Sequence, residues 1–540
     1  MRARATSFGR WWLLVALGAA AVATGVHMTA GGAGASTDSV VYLSAARSLL
    51  AGDGLIAFSR SGGMAPLTFY PPLYPIVLAA LSAAGPEVLA AARVLSVAAF
   101  ATTSLVIAGC VGWTTRRPIA AGAAGVATVA SVPLWSVHGW ALTEPLFLLV
   151  LVVAVWTTAA EVTGYGDRWW IVAGIAAGAA ALTRYAGVAV VVAVPVAIVI
   201  LGTRPRRARL LRAAAAAALG GIPSLVWLLA TRASASGTGG RTVIARGFDP
   251  AQLRELVATL RWWIAPRLPV VAAFGVGVVA VLVIAGVRRP GTPRERALLA
   301  TATTTVVAYG VVLVVNDVLL TSATGWNNRI LAPVYILLLL VVPVATARLA
   351  RRSRTGRWIA GVAAVGLLAA VVARAAVESP ADRDRGFFDE PFSDPVLIGT
   401  VERSDAAVWS NFPDAIYLLT GVPARGVPQR SSPHTGGAPA AGTATMDDLV
   451  EDLGAGALLV WFDAPGRDYL VTPDEIMRHI DLEVVVREDG SAAYAAGGSS
   501  RPSRSTARNG RTRSMTAPND TNSEATVRTI NPQPTPRRVR

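Results

Sequence analysis

Apolar runs of 18 or more residues recur along this chain, each closed by a charge or a turn. A helix of that length matches the roughly 30 Å hydrocarbon core of a bilayer, and a soluble fold has no interior able to hide so many. Of 540 residues, 53% are hydrophobic and 15% charged. Eleven spans follow, at about 11–31, 88–112, 118–136, 143–160, 169–183, 186–203, 213–231, 270–287, 297–317, 330–347 and 358–377. The run 169–203 is too long for one helix, and Leu182-Thr183-Arg184-Tyr185 interrupts it, which predicts a hairpin turning there. The run 72–84 is too short to span. It begins at Pro71-Pro72 and ends at Gly85-Pro86, and reads as a re-entrant or surface-lying helix in the first long loop.

Charge orients these spans. All 49 basic residues are arginine. With 72–84 kept out of the spanning set, the segments up to residue 357 that flank the spans carry 20 arginines on the side of the amino terminus and 10 on the other side, the latter over about twice the length. Arginine-rich loops stay in the cytoplasm, so the amino terminus is expected inside the cytoplasmic membrane. Tryptophans agree: Trp11-Trp12, Trp113, Trp169-Trp170 and Trp358 fall at inner ends, and Trp135, Trp140, Trp262-Trp263 and Trp326 at outer ends. The net charge of +16 comes in short clusters between apolar runs, which excludes a nucleic-acid partner. A single cysteine, Cys110, excludes an intramolecular disulfide. Gly34-Ala35-Ser36 also looks like a signal-peptide cleavage site, although such signals usually precede secreted domains rather than polytopic ones.

Beyond 377 the composition changes. Residues 1–377 read as the transmembrane domain and 378–496 as a soluble α/β domain on the outer face. Ala406-Ala407-Val408-Trp409 and Ala457 to Phe462 read as strands within it. Thr472-Pro473-Asp474-Glu475 is a capping box, and Leu482–Val486 with Ala492–Ala495 forms a hairpin through Asp489-Gly490. From 497 to 540 the chain is rich in Arg, Ser, Thr and Pro without apolar periodicity, and is expected to be disordered.

On the predicted topology the polar groups able to do chemistry share the outer side. Asp38 lies just beyond the first span, Glu144 opens the fourth, Arg184 tips the hairpin and Asn327-Asn328-Arg329 opens the tenth. Arg241 and Arg246 lie in the Gly-rich loop 232–269. Displacing a phosphate from a sugar anomeric carbon suits this set. One carboxylate can take the proton of the attacking hydroxyl, and phosphate leaves as a stable anion without a strong general acid. Guanidinium forks meet the departing phosphate. Singly, each residue has a plainer reading: Asp38 caps the helix 39–50, Glu144 favours a helix dipole, and Arg184 and Arg329 snorkel at helix ends.

The order Asp38…Tyr42…Ala46…Leu49…Gly52…Gly54, then Tyr70-Pro71-Pro72-Leu73-Tyr74-Pro75, then Ala92-Arg93-Val94-Leu95-Ser96, resembles the GT-C membrane glycosyltransferases. The likeness is to the bacterial branch with protein O-mannosyltransferase-like and aminoarabinose transferase-like enzymes. Thr143-Glu144-Pro145-Leu146, Leu182-Thr183-Arg184, Arg329 to Pro333 and Ser410 to Gly421 extend the pattern. The resemblance implies a polyprenyl-phosphate-linked sugar donor, transfer with inversion, and Asp38 as the catalytic carboxylate. Tyr42, Tyr70, Glu144, Arg184 and Arg329, with Arg241 and Arg246, become candidates for substrate binding. Two positions depart from the family: Asp38 is followed by Ser39 rather than Glu, and Tyr70 stands where the aminoarabinose branch has Lys. An arginine must then hold the phosphate. No cofactor is required, although Asp38 and Glu144 could share a divalent metal.

The expected protein is therefore a polytopic helical GT-C-like transferase with surface-lying helices in its first outer loop. Its acceptor is a glycan, lipid or protein. A transporter or flippase of a lipid-linked sugar is the alternative, but the chain lacks an evident internal repeat and places its acids at helix ends. A membrane scaffold of envelope assembly is a third.

Overall fold

The computed structural model describes residues 2–59, 63–234, 248–319, 325–351, 354–381, 384–432, 437–439 and 442–497. The tail read from 497 thus lies, from 498 on, outside the described residues, as do Arg241 and Arg246.

Every segment read as a span is helical. Seven helices are long and apolar enough to cross a bilayer: Val88–Thr115, Glu144–Val162, Arg206–Thr231, Pro269–Arg288, Pro293–Leu319, Asn328–Leu349 and Arg354–Val377. Three shorter apolar helices, Trp12–Met28, Trp169–Thr183 and Tyr185–Leu201, fill the remaining expected positions. Arg184 adopts an extended conformation between the last two (φ −147°, ψ 137°), so the long run turns where the charge interrupts it.

The span expected at 118–136 is broken. Pro118–Val129 and Val132–His138 meet at a bend of 52°. Pro133 has no N–H to continue the ladder, and Ser131 Oγ instead accepts from Leu134 N at 3.3 Å, starting a new helix. This break carries the chain sideways toward the Asp38 end of the bundle.

The segment between Trp12–Met28 and Val88–Thr115 is more structured than its sequence shows. It holds the helices Thr37–Ala51 and Leu73–Ser82, and a hairpin of β1 (Ile56–Ser59) and β2 (Gly63–Pro66). Leu73–Ser82 is ten residues long, too short to cross a bilayer. Beyond Val377, five strands form one sheet: β3 (Val408–Ser410), β4 (Ala424–Gly426), β5 (Leu458–Trp461), β6 (Leu482–Glu488) and β7 (Ser491–Ala496). The spatial order is β4-β3-β5-β7-β6, with the β4-β3-β5 part parallel and β6 and β7 antiparallel. The β6–β7 turn places Asp489 and Gly490 at φ 40° and 87°, the left-handed pair such a turn needs. Thr472 and Glu475 form the capping box of Pro473–Ile476.

The sheet and the Asp38 segment share a core. Val40 and Phe58 are buried among Phe387, Leu397, Phe412 and Ile416, and the Phe58 ring stacks on Tyr417 at 4.5 Å. The approach to Asp38 is clamped on both sides. Gly34 N donates to Gly139 O at 2.9 Å, and Ala35 N to Arg385 O at 3.0 Å. Gly386, at φ 65°, passes so close that a Cβ would lie 2.3 Å from Ala35 O.

Candidate active site

Asp38 sits in the first turn of Thr37–Ala51, whose N-cap is Ser36. The Ser36 N–H is met by Ser39 Oγ at 3.0 Å. The Asp38 carboxylate is therefore not the cap that the plainer reading assigned. It accepts from Tyr70 Oη at 2.5 Å on one oxygen and pairs with Arg329 Nη2 at 2.7 Å on the other. Its side chain remains 25% exposed, enough for a substrate group to reach it.

Four charged side chains converge from distant parts of the chain. Glu144, at the start of Glu144–Val162, is buried and paired with both Arg184 and Arg329. Arg329 therefore bridges the two carboxylates, and Arg184 completes a cluster of two acids and two guanidiniums. Burying such charges without partners would cost several kcal/mol each, so their mutual pairing makes the cluster tenable. Arg329 is the more open guanidinium, 33% exposed against 15% for Arg184.

The helix that presents Arg329 is anchored by its neighbour. Asn328 Nδ2 donates to Pro133 O at 3.0 Å and Ser136 Oγ at 2.7 Å, while its Oδ1 accepts from Trp263 Nε1 at 2.7 Å. Asn327 caps the helix by accepting from Ile330 N at 3.2 Å. The short helix after the break at 130–131 is thus what Arg329 is registered against.

An aromatic wall completes the site. Tyr42 is buried with its ring 5.1 Å from Tyr70 and 5.3 Å from Tyr74, edge to face in both cases. Burial, aided by the Asp38 carboxylate, pushes the Tyr42 phenol up, so it stays neutral. Six of the residues singled out from sequence therefore meet: Asp38, Tyr42, Tyr70, Glu144, Arg184 and Arg329.

A contact that the sequence did not reveal lies beside Asp38. The Thr37 hydroxyl donates to Asp414, and Arg467 Nη2 reaches Thr37 Oγ1 at 3.2 Å and both Asp414 oxygens at 2.8–2.9 Å. The Arg467 guanidinium also lies 3.9 Å over the Phe412 ring. Asp414 stands in the Ser410–Gly421 stretch already singled out, but nothing in that stretch names its partner 377 residues away.

A divalent cation shared by Asp38 and Glu144 would have to displace Arg329, which pairs with both carboxylates. A hard cation wants an oxygen shell without a fixed positive charge inside it.

No family model and no curated protein matches this sequence. Solved structures do match. The arabinofuranosyltransferase AftD from mycobacteria is 16% identical, with a TM-score of 0.56, covering 91% of this chain and 40% of that one. The oligosaccharyltransferase AglB from Archaeoglobus fulgidus is 10% identical, with a TM-score of 0.50, covering 92% and 75%. ArnT from Cupriavidus metallidurans is 15% identical, with a TM-score of 0.47, covering 91% and 98%. The chain has the fold of the GT-C membrane glycosyltransferases: a polytopic helical bundle with a small sheet-bearing region.

Proposed function

We propose that this protein transfers a hexosyl or pentosyl group from a polyprenyl-phosphate-linked donor to a hydroxyl acceptor, with inversion. The observation that carries the reading is the Asp38 carboxylate, partly open at the end of the helix bundle and paired with Arg329, which Glu144 links to Arg184. The arginine asymmetry of the loops puts that end, and the sheet, on the outer face of the cytoplasmic membrane. The archaeal neighbour AglB holds a dolichol-phosphate, a lipid-linked phosphate of the class proposed for this donor.

Each residue then has a task. Asp38 takes the proton from the acceptor hydroxyl as that oxygen bonds to the anomeric carbon. The bond to phosphate breaks on the opposite face, and its electron pair leaves on the polyprenyl phosphate. Arg329, the more open guanidinium, meets the leaving phosphate with Arg184 behind it. Glu144 balances their charge before the donor arrives. Tyr70 orients the Asp38 carboxylate, and Tyr42 and Tyr70 form the wall against which a sugar ring rests.

The test uses the purified full-length protein with radiolabelled undecaprenyl-phosphate sugars, in detergent and in vesicles. Transfer of label to a membrane acceptor is expected. Label carried into vesicles with the donor intact would instead make the protein a transporter.

A further inference from the structure

At the end of the bundle remote from Asp38, four arginines are matched by carboxylates within the chain. Arg204 and Arg212 share Glu161 and Asp167 at 2.8–3.3 Å. Arg348 and Arg351 share the buried Glu295. Arg294 lays its guanidinium on the rings of Trp113 and Tyr165, 4.8 and 5.0 Å from their centroids. Arg116 and Arg117, like Arg206 and Arg207, pair with no carboxylate among the described residues, and what sets them apart is their place. They form the two-residue link between Val88–Thr115 and Pro118–Val129. Arg116 is held at φ 57°, a helix-end conformation usually left to glycine.

Two apolar grooves, each of about 800 Å³, meet at this link. One runs along Pro118–Val129 toward the helices Pro269–Arg288, Asn328–Leu349 and Arg354–Val377. The other runs along the opposite side of Pro118–Val129, against the first helix and Val88–Thr115. Arg116, Arg117 and Pro118 line both grooves, Arg357 and Arg374 also line the first, and Arg294 lines the second.

We propose that this fork binds an anionic diacyl phospholipid, with its phosphate on Arg116 and Arg117 and one acyl chain in each groove. Two apolar channels sharing one unmatched pair of cations correspond to a molecule with two tails and one negative headgroup. A guanidinium pair accepts a phosphodiester by charge-assisted hydrogen bonds. A zwitterionic headgroup would bring its own cation against Arg294. Basic pockets between spans, at the face carrying the arginine-rich loops, are suited to such lipids. The headgroup position lies away from the sugar chemistry, because Val88–Thr115, 28 residues and roughly 42 Å long, separates it from the Asp38 end, which the first groove approaches at Pro133 and Trp263.

Native mass spectrometry tests this on the full chain, offered equal amounts of phosphatidylglycerol and phosphatidylcholine with matched acyl chains. One surface arginine is worth about 1 kcal/mol toward an anionic lipid, so phosphatidylglycerol should be retained about fivefold or more over phosphatidylcholine. The Arg116→Gln/Arg117→Gln variant should bind the two lipids equally. Arg206→Gln/Arg207→Gln removes the same charge from an exposed stretch at the same end, and should keep the preference. Equal retention by the wild type, or equal loss in both double variants, would overturn the site in favour of general surface charge. Displacement of phosphatidylglycerol by inorganic phosphate would overturn it in favour of a free-anion site. Should the Arg116/Arg117 variant fail to purify, the wild-type lipid ratio and the phosphate competition decide.

Discussion

At the scale of single residues, the decisive contrast is between two ways an acid can serve a helix start. Ser36 occupies the cap and Asp38 faces Tyr70 and Arg329, so Asp38→Asn should leave the helix intact while removing the proton acceptor. Loss of a general base costs about 10²–10⁴ in rate. Turnover of radiolabelled donor by a well-expressed Asn variant is expected to fall by that range with donor binding retained; a variant keeping more than about half of wild-type turnover would remove Asp38 from the chemistry. The arginines should separate in the same assay. Arg329→Met strips a partner from both Asp38 and Glu144, and should raise the apparent donor Michaelis constant and lower turnover together. Arg184→Met leaves Glu144 paired with Arg329, so its effect on turnover should be the smaller of the two. Unchanged donor affinity in both variants would move the phosphate elsewhere.

At the scale of elements, the site depends on two attachments made far from it in sequence. The break at 130–131 lets Val132–His138 supply Pro133 O and Ser136 Oγ to Asn328, setting the position of Arg329. The sheet holds the other side through Thr37, Asp414 and Arg467. Asp414 is 1% exposed, so Arg467→Met would leave a buried carboxylate without its cation, at a cost of about 3–5 kcal/mol. Thr37→Val keeps the pair and loses one hydroxyl, costing about 1 kcal/mol. Thermal melting of the purified protein should rank them in that order. Equal melting of Arg467→Met and wild type would mean that this tie does not hold the sheet to the Asp38 helix.

At the scale of the whole molecule, the bundle has a chemically diverse end and an arginine-rich end, and the orientation proposed for them can be checked directly. Cys110 is buried, so it can be replaced by Ala and single cysteines added at exposed positions. An impermeant thiol reagent applied to intact cells should label a cysteine at Glu402, in the sheet-bearing region, and spare one at Arg207. The reverse pattern would invert the topology and place Asp38 in the cytoplasm. Most of this architecture was legible in the sequence because a bilayer acts on each segment separately: twenty apolar residues must become a helix whatever surrounds them. The hairpin at Arg184 was legible for the same reason, since a charge inside an apolar run is costly wherever it falls. The bend after Val129 was not, because Pro133 within a span permits either a kink or a break, and packing against Asn328 selects the break. The strands β1, β2 and β4 are three or four residues each, too short for an alternating pattern to separate them from loop. Sequence alone marked Asp38, Glu144, Arg184 and Arg329 as residues of one membrane face, because helix ends and loop charges are local properties. That Arg329 lies between the two acids, that Ser36 rather than Asp38 caps the helix, and that Asp414 reaches Thr37 were decided only by tertiary packing. Such pairings depend on which helix ends become neighbours, and no local pattern encodes a neighbour hundreds of residues away.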